Sequence, residues 1–498
     1  MDLEGLAVLL LQGAAVVLAA VVGVRLSTRL GVPGLLLFLL LGLLVGWAVP
    51  GVDFDDATMA TVLGYAALVV ILAEGGLTTK VEEVRPVLAP AVALATVGVA
   101  VSIAVVALPL VLLKGLETRT AVLLAAVLAA TDAAAVFSVL RRLHLRPRLR
   151  ALLEAEAGFN DAPVVVLVVV LSTTSVGEVP GWQIPLIVLA ELVGGAVVGV
   201  IVGLAGRWAM PRLALPAAGL YPIAVMALLI GAYGLADVLH TSGFLATYLA
   251  GVLVGNAEGL PHRRSVIAFA EGSAWIAQIG LFVMLGLLAD PQRAVSSLGV
   301  AIVAGAALVL VGRPAAAAVA LVPFRLPWSW VLFTSVAGLR GAVPIVFAAI
   351  PLGYGVSGSE TVFDATLILV VILTLGQAPA LPWAARRLGL AQGVSPDELE
   401  VESAPLDQMG ASLLGFEVPP GSRLAGLYVS DLRLPDGAEV SLVVRDGVGS
   451  VPDLHTRLRV ADRILVVATE ESRRAATRRL RAVSERGRLA GWTSGDSP

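Results

Sequence analysis

No cysteine occurs anywhere in this chain, which removes disulfides, thiolate metal sites and cysteine nucleophiles and leaves the redox compartment unmarked. Lysine is nearly absent, with only Lys80 and Lys114, a bias that reads as the signature of a GC-rich bacterial genome. The four histidines, His144, His240, His262 and His455, have no metal-ligand partner at helical spacing. Charged residues make up 14% of the chain, well below the roughly 25% of a soluble domain. The net charge of −3 gives nucleic acid no purchase. A Ser-His-Asp arrangement, a Walker A loop and a dinucleotide-binding glycine fingerprint are all missing, so neither an enzyme nor an ATP-driven pump is expected.

What fills the chain instead is apolar: 58% hydrophobic residues and a mean hydropathy of +0.92. Runs of about 20 apolar residues, enough to cross a hydrocarbon core, fall near 5–24, 32–49, 59–78, 86–113, 119–140, 150–171, 183–206, 218–238, 241–256, 266–289, 297–322, 328–350 and 361–385. This predicts an all-α polytopic membrane protein of about thirteen spans. The ninth run is short and glycine-rich, so twelve and fourteen stay open. The first run follows an acidic start, Met1-Asp2-Leu3-Glu4, and is read as a retained helix rather than a signal peptide.

Loop charge sets the expected orientation. With the N-terminus outside, sixteen Lys and Arg fall in inward connections, the densest being Arg141 to Arg150, against Lys114, Arg119 and Arg293 outside. The C-terminus is then cytoplasmic. Residues 1–390 read as the membrane domain and 391–403 as a polar, acidic linker containing Ser395-Pro396-Asp397-Glu398. Residues 404–485 read as a small α+β domain, with strands near Ala411 to Val418, Glu439 to Val444 and Asp462 to Val467 and a basic amphipathic helix near 470–484. The tail 486–498 reads as disordered.

Against this apolar background a few ionisable groups stand out. Asp132 lies about 12 residues into the fifth run, Asp161 about 11 into the sixth and Arg340 about 12 into the twelfth, or ~16 Å at 1.5 Å per residue, near the midplane. A charge at that depth costs roughly 2.5 to 3.5 kcal/mol, so such residues mark an ion or proton pathway. Thr131-Asp132 supplies hydroxyl, carbonyl and carboxylate oxygens if the fifth helix unwinds there. Hard oxygen ligands of this kind suit Na⁺, K⁺ or H⁺. On the sixth helix Glu154, Ala157 and Asp161 share one face, and Glu156 and Asn160 share the next. Arg340 is read as charge compensation, since a guanidinium does not release its proton, with Glu74 as its partner. Glu191 and Glu271 have no accompanying motif, and Arg313-Pro314 is read as a helix irregularity.

Thr131-Asp132, Glu156-Ala157-Gly158-Phe159-Asn160-Asp161 and Gly338-Leu339-Arg340-Gly341-Ala342-Val343-Pro344 together resemble the monovalent cation:proton antiporters of the NhaP type, over about residues 5–390. The resemblance implies two inverted repeats, a core domain holding the ion site, a dimerisation domain and a homodimer. It makes the fifth and twelfth spans the crossing, discontinuous helices. It also implies that Asp161 exchanges cation for proton and that Thr131 and Asp132 add ligands to the monovalent metal ion. Glu156 would hold a water or the helix geometry, Asn160 would orient the site, and Arg340 with Glu74 would balance buried charge. The family pattern usually has Ser where this chain has Ala157, which removes one hydroxyl ligand.

Residues 404–485 are similar to the C-terminal domain of regulators of K⁺ conductance (RCK-C, or TrkA-C), through Phe416-Glu417-Val418-Pro419-Pro420-Gly421, Leu434-Pro435-Asp436-Gly437 and Asp462 to Val467. That pairing resembles the K⁺/H⁺ branch in a bacterial inner membrane, with Na⁺/H⁺ exchange as the alternative. Regulation through the soluble domain is expected, by a nucleotide or other small ligand at 404–485 or by pH-dependent dimer contacts, and no cofactor is expected. A ligand-gated cation channel and a transport-dead membrane sensor are the rival classes. The channel is disfavoured because no TVGYG-like filter occurs.

Overall fold

A computed structural model describes residues 3–30, 34–48, 56–131, 136, 143, 145–173, 180, 182–257, 259–390, 402–406, 411–419, 421–445 and 448–487. The chain divides into two compact units between residues 391 and 392. Most of the linker at 391–403 and of the tail at 486–498 lies outside the described residues.

In the first unit each apolar run of the sequence overlaps one or two described helices, the fifth only over its first half. In chain order these are α1 (Leu3–Leu30), α2 (Gly34–Ala48), α3 (Ala57–Thr78), α4 (Val81–Lys114), α5 (Thr118–Ala129), α6 (Pro147–Thr173) and α7 (Ile184–Ala209). They continue with α8 (Leu220–Val238), α9 (Gly243–Gly255), α10 (Arg263–Leu288), α11 (Leu298–Phe324), α12 (Trp328–Ala337), α13 (Ala342–Gly353) and α14 (Ser359–Arg387). Eight are long and apolar enough to cross a membrane, so this is a mostly helical, multi-pass membrane protein. The twelfth run is two half-helices, α12 and α13, separated by Gly338 to Gly341.

The helices sort into two groups. In one, α2 and α3 pack on α10, while α3, α7 and α8 pack on α9. In the other, α4, α5 and α6 pack with α11 to α14 around a core that includes Leu124, Val127, Val164, Val168, Ile345, Phe347 and Phe363. Within this second group corresponding irregularities recur. Both α4 and α11 contain a π-helical turn, at Leu94–Gly98 and Ala307–Gly312. Helices α5 and α12 end after 12 and 10 residues, at Ala130 with ψ 141° and at Gly338 with ψ 80°. Such interruptions leave helix-end carbonyls without intrahelical partners, which is tolerated in a membrane only where protein or a water-lined cavity satisfies them. Asp132 lies outside the described residues.

The second unit is an antiparallel sheet in the order β1-β2-β5-β3-β4 with one helix against it. Its strands are β1 (Glu402–Leu406), β2 (Ala411–Glu417), β3 (Ala438–Arg445), β4 (Val448–Ser450) and β5 (Arg463–Thr469). Ala476, Leu480 and Val483 of α15 (Glu470–Arg486) share a core with Leu414, Phe416, Ile464 and Val466. Thr469 caps α15 by accepting from the Ser472 N–H. Strands β1 and β4 add to the three expected from the sequence. Both are edge strands, and β1 carries Pro405, which an edge position tolerates because no ladder donor is required there.

Candidate cation site

The break after α5 faces the middle of α6. Thr131, Asn160 and Asp161 are all buried, and Asn160 Nδ2 donates to Thr131 Oγ1 at 2.6 Å. That bond ties the end of the broken helix to the residue preceding Asp161. Pro163 sits two residues beyond Asp161 and has no N–H to give the Phe159 carbonyl, so α6 loses a backbone bond at the level of the site. Asn160 Oδ1 is buried without a hydrogen-bond partner among the described residues. Amide, hydroxyl and carboxylate oxygens are hard ligands of the kind that suit a monovalent cation.

Arg340 lies in the break between α12 and α13 and is 1% exposed. Its Nε donates to the Leu128 carbonyl at 2.7 Å and its Nη1 to the Gly338 carbonyl at 2.9 Å, while Thr374 Oγ1 donates to its carbonyl at 2.6 Å. Leu128 is in the last turn of α5 and Gly338 closes α12. Each helix end carries about half a negative charge, so the guanidinium is balanced by two helix termini. These carbonyls add backbone partners for Arg340 to the Glu74 carboxylate expected from the sequence. The charged groups acting on Arg340 are Arg313, Glu156 and Asp161. Glu74 is half-buried on α3, where its carbonyl accepts from Thr78 Oγ1.

Glu156 is paired with Arg313, whose Nη1 lies 2.8 Å from Glu156 Oε1 with both side chains buried. Arg313 Nη2 also donates to the Thr334 carbonyl at 3.1 Å. The side chain therefore joins α11, α6 and α12. It also fills the space beside Gly338, where a Cβ would lie 2.6 Å from Nη2. The sequence reading of Arg313 as a mere irregularity is incomplete. A π-turn does end at Gly312, but the arginine itself is part of the charge network. The signal that singles out Arg340, an arginine deep in an apolar run, applies equally to Arg313.

The remaining acidic groups stand apart. Glu154 pairs with Arg150 at 2.8 Å toward the start of α6. The Glu191 carbonyl accepts from Ser242 N–H, and Glu271 is exposed on α10. Ala157 is buried in an apolar cluster with Leu152, Leu153 and Phe333.

The sodium/hydrogen exchanger transmembrane family model matches residues 16–387, and the TrkA-C domain model matches residues 413–481. The chain is 33% identical over 460 residues to the K⁺/H⁺ antiporter NhaP of Alkalimonas amylolytica, covering 90% of this chain and 79% of that protein. It is 33% identical over 491 residues to the K⁺/H⁺ antiporter NhaP2 of Shewanella baltica, covering 95% and 83%. Among solved structures, the sodium proton antiporter MjNhaP1 of Methanocaldococcus jannaschii at pH 8 superposes with a TM-score of 0.63 at 20% identity. That match covers 76% of this chain and 99% of that one, a likeness of fold.

Proposed function

Because the chain belongs to the sodium/hydrogen exchanger family, we propose that it is a secondary antiporter that exchanges K⁺ for H⁺, one for one, at Asp161. The observation that carries this reading is the buried Asn160–Asp161 pair, with the Asn160 amide fixed to Thr131 on the broken helix. A single carboxylate with an amide for a neighbour is neutralised by one proton or by one cation, not both. Competition for that one charge couples the two fluxes. Because the loaded site carries no net charge in either form, alternating access moves a neutral assembly and the exchange is electroneutral.

In this reading Thr131 and Asp132 complete the cation's oxygen shell, and Asn160 holds the unwound segment against α6. Arg340 stabilises the two interrupted helix ends, so the breaks persist when the site is empty of cation. Glu156 and Arg313 lock α6 to α11. The K⁺ preference rests on the relatives' names and on their similarity extending into the soluble part. The reading takes the protein as a homodimer of the bacterial inner membrane, N-terminus outside. Its cytoplasmic TrkA-C unit regulates exchange by binding a small ligand or by changing dimer contacts. It acts as a transporter, not an enzyme.

Reconstituted vesicles holding a preset pH gradient test the proposal. Added K⁺ collapses the gradient saturably, Na⁺ and Li⁺ do so less well, and no collapse occurs without cation. Collapse with no cation added indicates a pore instead.

A further inference from the structure

Tyr248 lies on α9, in the other helix group, yet its ring reaches the site helix. It is 4% exposed, and it meets Phe159 edge-on with ring centroids 5.5 Å apart. Its hydroxyl is 3.2 Å from Thr79 Oγ1 at the end of α3. At Gly158 a Cβ would lie 2.9 Å from Tyr248 Oη and 3.0 Å from Cζ and Cε2. The missing side chain at 158 is what allows the phenol to approach so closely. Gly158 is one turn before Asp161 and four residues after Glu154. Tyr248 therefore covers the stripe of α6 that runs between those two carboxylates.

The ring and its partner are held on one scaffold. A Cβ at Gly76 of α3 would sit 2.5 Å from the Tyr248 carbonyl, so α3 and α9 are in backbone contact there. Asn256 donates to the Thr79 carbonyl at 2.7 Å and accepts from Val81 N–H at 3.1 Å. Against this scaffold, α6 carries the exchange carboxylate. A ring needed only to fill space would not need its hydroxyl. Among the described residues this hydroxyl bonds to Thr79, across the seam from α6, and not to α6 itself. The ring can therefore release α6 without leaving a buried donor unpaired on the scaffold side.

We propose that Tyr248 is the gate between Asp161 and the Glu154 end of α6, a positioning residue for exchange that rests on the assignment of Asp161 as the exchange site. Seated against Gly158 and fastened to Thr79, its ring closes the passage. Movement of α6 past the ring opens it.

The absence of cysteine makes the test clean, because a single introduced cysteine is the sole thiol. In vesicles whose exposed face is identified by labelling of Arg148→Cys, an impermeant cationic thiosulfonate reports access to Ala157→Cys. Labelling scales with the open fraction, so an about tenfold larger open fraction gives about tenfold faster labelling. That is the increase expected with Tyr248→Ala, and Tyr248→Phe, which keeps the ring and loses the Thr79 bond, gives a smaller one. Tyr248→Phe is also expected to change turnover while leaving half-saturation by K⁺ nearly unchanged. Equal labelling of Ala157→Cys with and without Tyr248→Ala, at unchanged Arg148→Cys labelling, overturns the gate; so does Tyr248→Phe labelling no faster than the parent. If instead no cation-dependent proton flux is found while the labelling contrast persists, the exchange reading fails and only the ring's control of access to α6 stands.

Discussion

Arg313 and Glu156 meet at 2.8 Å with both side chains buried, and through that pair α11 holds the same helix that presents Asn160 and Asp161. The pair gives α6 a fixed point five residues before Asp161. It also stands next to the α12–α13 break, because Arg313 donates to Thr334.

Removing one member leaves an uncompensated buried charge, which costs about 3 to 5 kcal/mol. Glu156→Gln is expected to lower thermal stability in detergent sharply. The double change Glu156→Leu with Arg313→Met is expected to recover much of the loss, since an apolar pair replaces an ion pair. Thermal unfolding of the single and double variants compares the two; a single variant as stable as the parent contradicts the coupling.

Gly338→Ala forces a methyl against the Arg313 guanidinium, where a Cβ would be 2.6 Å from Nη2, 2.7 Å from Nε and 2.7 Å from Cζ. Overpacking of this kind costs about 1 to 3 kcal/mol. The same substitution at Gly376, which has nothing within 4 Å of its Cβ position, is expected to be nearly neutral. Paired melting curves of the two variants check the contrast.

Asn160→Asp places a second carboxylate beside Asp161 while removing the amide that donates to Thr131. The exchange is then expected to respond to membrane potential, because the site no longer changes charge by a single unit. Proton flux measured with and without a K⁺-independent imposed potential reports this. Potential-independent flux in the variant contradicts the single-carboxylate reading.

In the soluble unit, Arg445 donates to both oxygens of Asp462 at 2.8 Å and the Arg459 N–H donates at 2.7 Å. Chiefly through the Arg445 bonds, the carboxyl is held below the usual carboxylate range, against the opposing effect of burial. Its stabilising contribution is complete above the unfolded value of about 3.9 and disappears as pH falls through the lower folded value. Asp462→Asn is expected to cost about 1 to 3 kcal/mol near neutral pH and to remove that acid-side dependence. Hydrogen exchange of the β5 amides in the full-length protein, at neutral and acid pH, measures both effects.

The apolar runs were legible because lipid demands about 20 residues per crossing, and every run located in this way overlaps at least one described helix. Position within a run placed the buried charges Asp132, Asp161 and Arg340 at one depth, and Arg340 does fall where the twelfth run is interrupted. The partners of the buried charges were less accessible. Glu74 was expected to balance Arg340, but nothing in the sequence pointed to the Leu128 and Gly338 carbonyls that accept from its guanidinium. Helix-end carbonyls carry charge that a residue inventory does not display. Likewise, Tyr248 and Gly158 are 90 positions apart, and only the packing of α9 beside α6 reveals that a glycine in the site motif accommodates a distant phenol.

The central claim is that Asp161 is where cation and proton compete. Asp161→Asn, reconstituted and folded, is the most direct measurement, read as K⁺-dependent dissipation of a preset pH gradient. The account predicts that this flux disappears while thermal stability stays close to that of the parent. Retained K⁺-coupled proton flux in Asp161→Asn contradicts it.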